Sequence, residues 1–384
     1  MNNRIYLDHA ATTPVRPEVV EAMLPYMTGL FGNASSTHWA GREAKAALTA
    51  ARDVIAGFIG CSPAQLMFTS GGTESDNTAI FGAAEANAHR GKHIITSQIE
   101  HHAVLHACER LEKLGFEVTY LPVDAFGQVR AADVEAALRP DTILISIMYG
   151  NNEVGTLQPI REIGGLARER GVLFHVDAVQ ALGHVPIDLA ELPVDLMSFS
   201  AHKLNGPKGI GALYIAKQTH IAPLIYGGQQ ERKRRPGTEN VPAIVGFGKA
   251  VELFARERYE LQQNLETIRH EMVSGLISRL GEAAVVVNGH PTERLAHILN
   301  VSFPGIATET MLMNLDLEGV AAASGSACTS GSLEVSHVLQ AMKLPREVTA
   351  SAIRFSFGRD TNLEQIVKTV TIIETICARL RSRV

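Results

Sequence analysis

Four side chains in this sequence are of types that do covalent or proton-transfer chemistry: Lys203, Asp177 and His101 beyond strand ends, and Cys328 in a glycine-flanked loop. Lys203 closes the run Ser198-Phe199-Ser200-Ala201-His202-Lys203 and is followed by Asn205-Gly206-Pro207-Lys208-Gly209. A partly buried amine at a strand end can lose basicity and hold an aldehyde cofactor covalently. Asp177 precedes it by about one helical crossover and one strand, so the two could flank one ring. A carboxylate facing a pyridine nitrogen keeps it protonated and makes the ring an electron sink. Taken singly, Lys203 reads as a solvated loop lysine and Asp177 as a helix cap. Their neighbours change that reading.

Gly71-Gly72-Thr73 sits between an apolar run and a helical pattern, where small residues free backbone N–H groups to face a phosphate. Ser200 and His202 could add donors. His101 could stack on a pyridine ring and move protons near neutral pH. Its neighbours His102 and His106 have i, i+4 spacing, but no cysteine or carboxylate completes a metal set, so no metal is expected. Cys328 lies in Ser324-Gly325-Ser326-Ala327-Cys328-Thr329-Ser330-Gly331, a small, polar stretch with little apolar cover. It therefore reads as an accessible nucleophile, whereas Cys61, Cys108 and Cys377 read as packing residues. Arg354, in the alternating strand Ser351–Phe357, has the planar fork that grips a carboxylate. The basic run Arg232–Arg235 is too short and too poor in aromatics for a nucleic-acid patch and reads as a loop reaching a phosphate, across a symmetric interface if there is one.

These residues need a scaffold. Apolar runs at Gln65–Thr69, His93–Ser97, Phe116–Leu121, Thr142–Tyr149, Val172–Val176, Asp195–Phe199 and Gly211–Ile215 alternate with helical patterns. One is His102–Leu114, with Leu105, Cys108, Leu111 and Leu114 as its buried stripe and Gly115 as its stop. The rhythm predicts an α/β fold with a mostly parallel central sheet covered by helices on both faces. Ligands of such sheets collect beyond the carboxyl ends of the strands. Five polar clusters fall there: Ser70–Thr73, Glu100–His102, Asn151–Glu153, Asp177 with Gln180, and Ser200–Lys203. After residue 240 a long charged helix (Ile244–Leu280) leads into strands Val285–Asn288 and Ala296–Phe303 and a final helix Leu363–Leu380, predicting a smaller α+β unit. The expected division is 14–257 for the large cofactor-binding domain, and 1–13 with 258–384 for a small domain carrying Cys328 and Arg354.

The 384 residues carry a net charge of −5, which argues against a nucleic-acid or membrane-surface binder. Four scattered cysteines and no apolar leader predict a reduced, cytoplasmic protein.

Together the segments resemble the cysteine desulfurases, in the class V aminotransferase group of pyridoxal-phosphate enzymes. The likeness runs from Ile5-Tyr6-Leu7-Asp8-His9-Ala10-Ala11-Thr12-Thr13-Pro14 and Phe31-Gly32-Asn33 through Thr69–Ser75, Glu100-His101, Asn151-Asn152-Glu153, His175-Val176-Asp177 and Ser200–Gly209. It ends on Ser324–Ser330 and Ile353–Ser356, and the cysteine segment is similar to the NifS/IscS-like branch. The resemblance implies a type I pyridoxal-phosphate transferase fold and a homodimer with the cofactor on Lys203. Asp177 would meet the ring nitrogen, Gln180 the phenolic oxygen, and His101 the ring face. Gly72, Thr73, Ser200, His202 and the partner subunit's Thr238 would surround the phosphate. Asn152, Arg354 and Asn33 would serve the substrate. The implied reaction converts L-cysteine to L-alanine, leaves a persulfide on Cys328 and passes that sulfur to an acceptor protein in iron–sulfur, tRNA-thiolation or other thio-cofactor pathways. A selenocysteine lyase or another class V aminotransferase is the alternative. Two departures stand out: Ala34 occupies a position where proline is common, and the chain ends without the longer tail some IscS-like members turn toward scaffold partners.

Overall fold

The computed structural model describes residues 4–325 and 336–381. The short strand β1 (Ile5–Tyr6) pairs far along the chain, as set out below. A seven-stranded sheet is built from β2 (Leu66–Thr69), β3 (His93–Ser97), β4 (Glu117–Leu121), β5 (Thr142–Ser146), β6 (Leu173–Asp177), β7 (Leu196–Ser200) and β8 (Gly211–Ile215). All of them except β4 are buried from end to end or nearly so. Side chains on both pleat faces must therefore be covered, which explains runs such as Thr142-Ile-Leu-Ile-Ser in place of alternation. The order is β2-β8-β7-β6-β5-β3-β4. Pairs from β4 to β7 are parallel, while β8 runs against both its neighbours. The predicted mostly parallel sheet is thus present, with β8 reversed.

Because β2 is antiparallel to an antiparallel strand, it points the same way as β3, β5, β6 and β7. The C-terminal ends of these strands consequently open on one edge. After β4 the chain returns to the other side of β3 to make β5, a switch in winding direction of the kind beside which α/β proteins bind ligands.

Two apolar cores result. The first gathers Ile55, Ile145, Phe174, Phe199, Phe247 and Phe254 under the large sheet. The second gathers Leu7, Leu265, Ile268, Val301, Phe355 and Ile373 around β9 (Val286–Asn288), β10 (Ile298–Ser302) and β12 (Ala352–Ser356), with β10 between the other two. β1 lies parallel to β11 (Val320–Ala321), so the residues around Leu7 join this second core. One 40-residue helix, Val241–Leu280, gives Phe247 and Phe254 to the first core and Leu265 and Leu276 to the second. It starts three residues earlier than the apolar pattern indicates, because Asn240 caps it by accepting from the Ala243 N–H at 3.2 Å. Gly115 (φ +86°) follows the helix His102–Glu112, as a stop signal should. Among the described residues no helix is long and apolar enough to cross a membrane.

Candidate active site

A cavity of about 490 Å³ opens at the C-terminal edge of the large sheet. Gly72, Thr73, His101, Asn152, Asp177, Gln180, Ser200, His202, Lys203 and Arg354 all line it. Every one of the five strand-end clusters expected from sequence contributes at least one wall. Ser324 and Gly325 complete it, and they are the last described residues before 326–335. Cys328 lies outside the described residues.

Lys203 stands just beyond β7 in a single 3-10 turn, Ala201–Lys203. Its Nζ donates to the carbonyls of Ala10 at 2.5 Å and Ala11 at 2.9 Å. The amine is thus held over the cavity by backbone acceptors. Gln180 Nε2 donates to the same Ala10 carbonyl at 2.9 Å.

Asp177 is the last residue of β6, and its Oδ1 accepts from the Val179 N–H at 2.9 Å. It therefore does shape the local turn while also facing the cavity. Burial pushes its carboxyl up to about 6, against the pull of nearby Lys203. Asp76, one turn into the helix Gly72–Asn87, lines the same cavity and is also pushed up, by burial and then by the neighbouring Asp177 charge. Its Oδ1 lies 3.6 Å from His175 Nε2 and has no hydrogen-bond partner among the described residues. His175 bridges Ser146 at 2.8 Å and Ser198 at 3.0 Å across β5, β6 and β7. Two buried carboxyls beneath one cavity fit a ring that presents a protonated nitrogen.

His101 caps the helix His102–Glu112, with Nδ1 accepting from the Ala103 N–H at 3.1 Å. Burial, then the Lys203 charge, holds it down to about 4. It borders the cavity as a neutral ring.

The other end of the cavity is built from glycines and a helix N-terminus. Gly71, the cap of the 16-residue helix Gly72–Asn87, sits at φ +155°, ψ −175°, a region essentially closed to residues with a Cβ. A Cβ on Gly72 would stand 2.6 Å from Val179 Cγ2. The helix N-terminus, buried Ser200 and His202 border the cavity there. His202 Nδ1 lies 3.1 Å from Thr12 Oγ1, and burial followed by the Lys203 and Lys208 charges holds it down to about 4. These residues fit a phosphorylated pyridine aldehyde at both ends.

Arg354, 5% exposed on β12, reaches the rim from the small unit. Nη2 donates to Asp8 Oδ1 at 2.8 Å and Nη1 to the Asn152 carbonyl at 3.0 Å. Its buried Nε has no hydrogen-bond partner among the described residues. Glu153, next to Asn152, accepts from Ser336 Oγ, and its carboxylate leaves no room for a Cβ on Gly325. Both described ends of the cysteine segment therefore rest on one buried carboxyl.

Two expected residues lie elsewhere. Asn33 is exposed, its Oδ1 accepting from the Ser35 N–H at 2.9 Å. Thr238 borders an adjoining cavity with Ser70, Gly237 and Arg235, and does not line the main one. In the basic run, Arg235 pairs with Glu74 at 2.9 Å on the first turn of the helix Gly72–Asn87. His102 packs against His106 and His337 as rings, with centroids 5.0 and 4.9 Å apart. Among the described residues no three His, Cys, Asp or Glu side chains are placed to share a metal ion. Cys108 and Cys377 are buried and Cys61 half-buried, and burial raises all three thiols.

Sequence reading missed Asp76, Asp8 and the Ala10 carbonyl. Asp76 was within reach, since i+3 from Thr73 places it on the same helix face. Asp8 acts through a contact 346 residues away, and Ala10 through one 193 residues away, about half the chain.

The aminotransferase class-V family matches residues 5–368. The chain is 53% identical to the cysteine desulfurase IscS of Methanosarcina thermophila, over 99% of this chain and 94% of that protein. It is 51% identical to the putative cysteine desulfurase IscS 1 of Bacillus subtilis, over 98% of this chain and 99% of that one. Among solved structures, a NifS-like protein superposes with a TM-score of 0.92 at 39% identity, covering 98% of this chain and 100% of its own. SspA in complex with cysteine gives a TM-score of 0.81 at 38% identity, over 92% of this chain and 98% of its own. With the lysine, the two carboxyls, the glycine cradle and the arginine gathered in one cavity, this chain belongs to the aminotransferase class-V family, among its cysteine desulfurases.

Proposed function

We propose that the protein is a pyridoxal-phosphate-dependent cysteine desulfurase that takes sulfur from L-cysteine onto Cys328. The observation that carries this reading is the composition of one wall: the cavity holding Lys203 and Asp177 is closed by Ser324 and Gly325. Three residues of chain span at most about 11 Å, so Cys328 is tethered within that reach of Gly325.

Pyridoxal phosphate supplies an electron sink for substrate carbon and an aldehyde that Lys203 can hold. Asp177 would keep the ring nitrogen protonated, Gln180 would face the phenolic oxygen and His101 the ring face. Thr73, Ser200, His202 and the helix N-terminus would hold the phosphate. Arg354 would grip substrate carboxylate with its fork, Nε included, beside Asn152. Lys203 would take the Cα proton. The Cys328 thiolate would attack the substrate sulfur, forming an S–S bond as the Cβ–S bond breaks. The displaced electron pair is finally captured by protons, so the products are alanine and a Cys328 persulfide, with no outside oxidant or reductant.

The same reading includes a homodimer and a division at 14–257 against 1–13 with 258–384. The two apolar cores support the division. An outward stripe of Val20, Leu24 and Met27 on the helix Pro17–Met27, each at least half exposed, supports self-association. A protein thiol would receive the sulfur in the cytoplasm.

Mass spectrometry of the Cys328 peptide after mixing with L-cysteine should find one added sulfur. Cys328→Ser should lose both that mass and sulfide release while keeping the lysine-bound chromophore. Sulfide release from Cys328→Ser at the wild-type rate would sink the proposal.

A further inference from the structure

Behind Gln180, on the side away from the cavity, three histidines that the chemistry above does not use meet in the interior. His297 and His184 stack with centroids 3.7 Å apart and planes at 23°, and Phe254 meets His184 edge-on at 5.4 Å. His297 is 3% exposed, and its Nε2 lies 3.4 Å from Gln180 Oε1. Its Nδ1 is buried and has no hydrogen-bond partner among the described residues.

We propose that His297 is a positioning residue: its Nε2–H fixes the orientation of the Gln180 amide, so that the NH2 group of Gln180 faces the cavity. This rests on the reading above, in which Gln180 meets the phenolic oxygen of the cofactor. A glutamine amide can be turned either way, and its two ends are of opposite polarity. On one side the Ala10 carbonyl, which can only accept, requires Nε2. On the other, Oε1 then points at His297, which must present a proton on Nε2. The alternative pairing places Oε1 against the Ala10 oxygen and leaves Lys203's acceptor crowded by a second lone pair. One hydrogen of the Gln180 NH2 serves Ala10, and the other is left for an oxygen anion in the cavity.

Burial first, and then the neighbouring charges, keep His297 in that neutral form. His184 and His9 are close, Lys203 and Arg354 bear on it electrostatically, and Arg359 borders the same small hollow. A second proton, on Nδ1, would meet cations and rings with no acceptor among the described residues.

The test is an absorption titration of the purified holoenzyme's lysine-bound chromophore, which reports ionisation of the cofactor's phenolic oxygen. His297→Leu removes the donor, so the Gln180 amide loses its bias and the midpoint should rise by about one pH unit. His297→Gln places an N–H at the same reach and should restore the midpoint to near the wild-type value. In a Gln180→Leu background, His297→Leu should add nothing, because it acts only through that amide. Should His297→Leu fold poorly, His297→Met, which also lacks a donor, carries the same comparison, alone and in the Gln180→Leu background. An unchanged midpoint in well-folded His297→Leu, failure of His297→Gln to restore it, or additive shifts in the double variant would overturn the proposal. A wild-type protein without any such chromophore would instead overturn the reading on which it rests.

Discussion

A carboxyl buried beneath a cavity must find a cation or take up a proton. Asp177 is in that position at about 6, and a protonated ring nitrogen above it would hold it ionised. Asp177→Asn keeps the shape and removes the charge. It should lower turnover by about 10³-fold, ~4 kcal/mol of barrier, with cofactor still bound. Steady-state kinetics beside an absorption spectrum checks both. Glu100 shows the same physics away from the chemistry. Its Oε1 accepts from Ser97 Oγ at 2.6 Å and from the Met148 N–H at 3.1 Å, and burial pushes it up to about 8. Its folded-state value lies above its unfolded one, so its stabilising share is complete at low pH and is lost as pH rises toward about 8. Glu100→Gln has no such loss, so its melting temperature relative to wild type should increase from pH 5 to about pH 8 and level off above it. At this scale the reactive types were readable as a set: Lys203 and Asp177 taken singly read as a loop lysine and a helix cap, and their place among the strand-end clusters beside His101 gave them their chemistry. Asp8 and His297 were not, because their roles are conferred by partners 346 and 117 residues away.

Elements set where those residues point. The segment around Gln230–Lys233 is held by a pair, Arg52 with Glu231, joined at 2.5 and 2.9 Å, with the Phe68 N–H also donating to Glu231 at 3.0 Å. Both side chains are below 10% exposed. Glu231→Ala leaves a buried guanidinium unpaired and should cost about 3–5 kcal/mol, read by urea unfolding. It should also loosen Arg235 from Glu74 at the start of the helix Gly72–Asn87. Strands with continuous apolar runs and helices with a periodic stripe were legible, and observed ends differ from the patterns by up to three residues. Thr142–Tyr149 is the instructive case: the regular strand ends at Ser146, yet the Ile147 and Tyr149 N–H groups still donate to the His175 and Asp177 carbonyls at 3.1 and 2.8 Å, so the apolar run marks the full reach of pairing with β6 while Met148 already lines the cavity. The reversal of β8 was not legible. A buried strand looks alike in either direction, and only its short link from β7 through Lys203 and Gly209 decides that it must double back.

At the scale of the whole molecule, the outward stripe of Val20, Leu24 and Met27 is an unusual cost for a monomer in water. Leu24→Asp should convert a species of twice the chain mass into a single chain, seen by sedimentation, with the fold intact by circular dichroism. Residues 5–13 bear the other global consequence. They pair with Val320 and Ala321, engage Arg354 through Asp8 and hold Lys203 through Ala10 and Ala11. During translation these residues leave the ribosome before any strand of the large sheet, yet three of their partners, Val320, Ala321 and Arg354, emerge more than three hundred residues later. The nascent chain can therefore assemble its main layer while the amine of Lys203 still lacks its final seat. Coenzyme capture becomes a late event in biogenesis, gated by completion of the second layer.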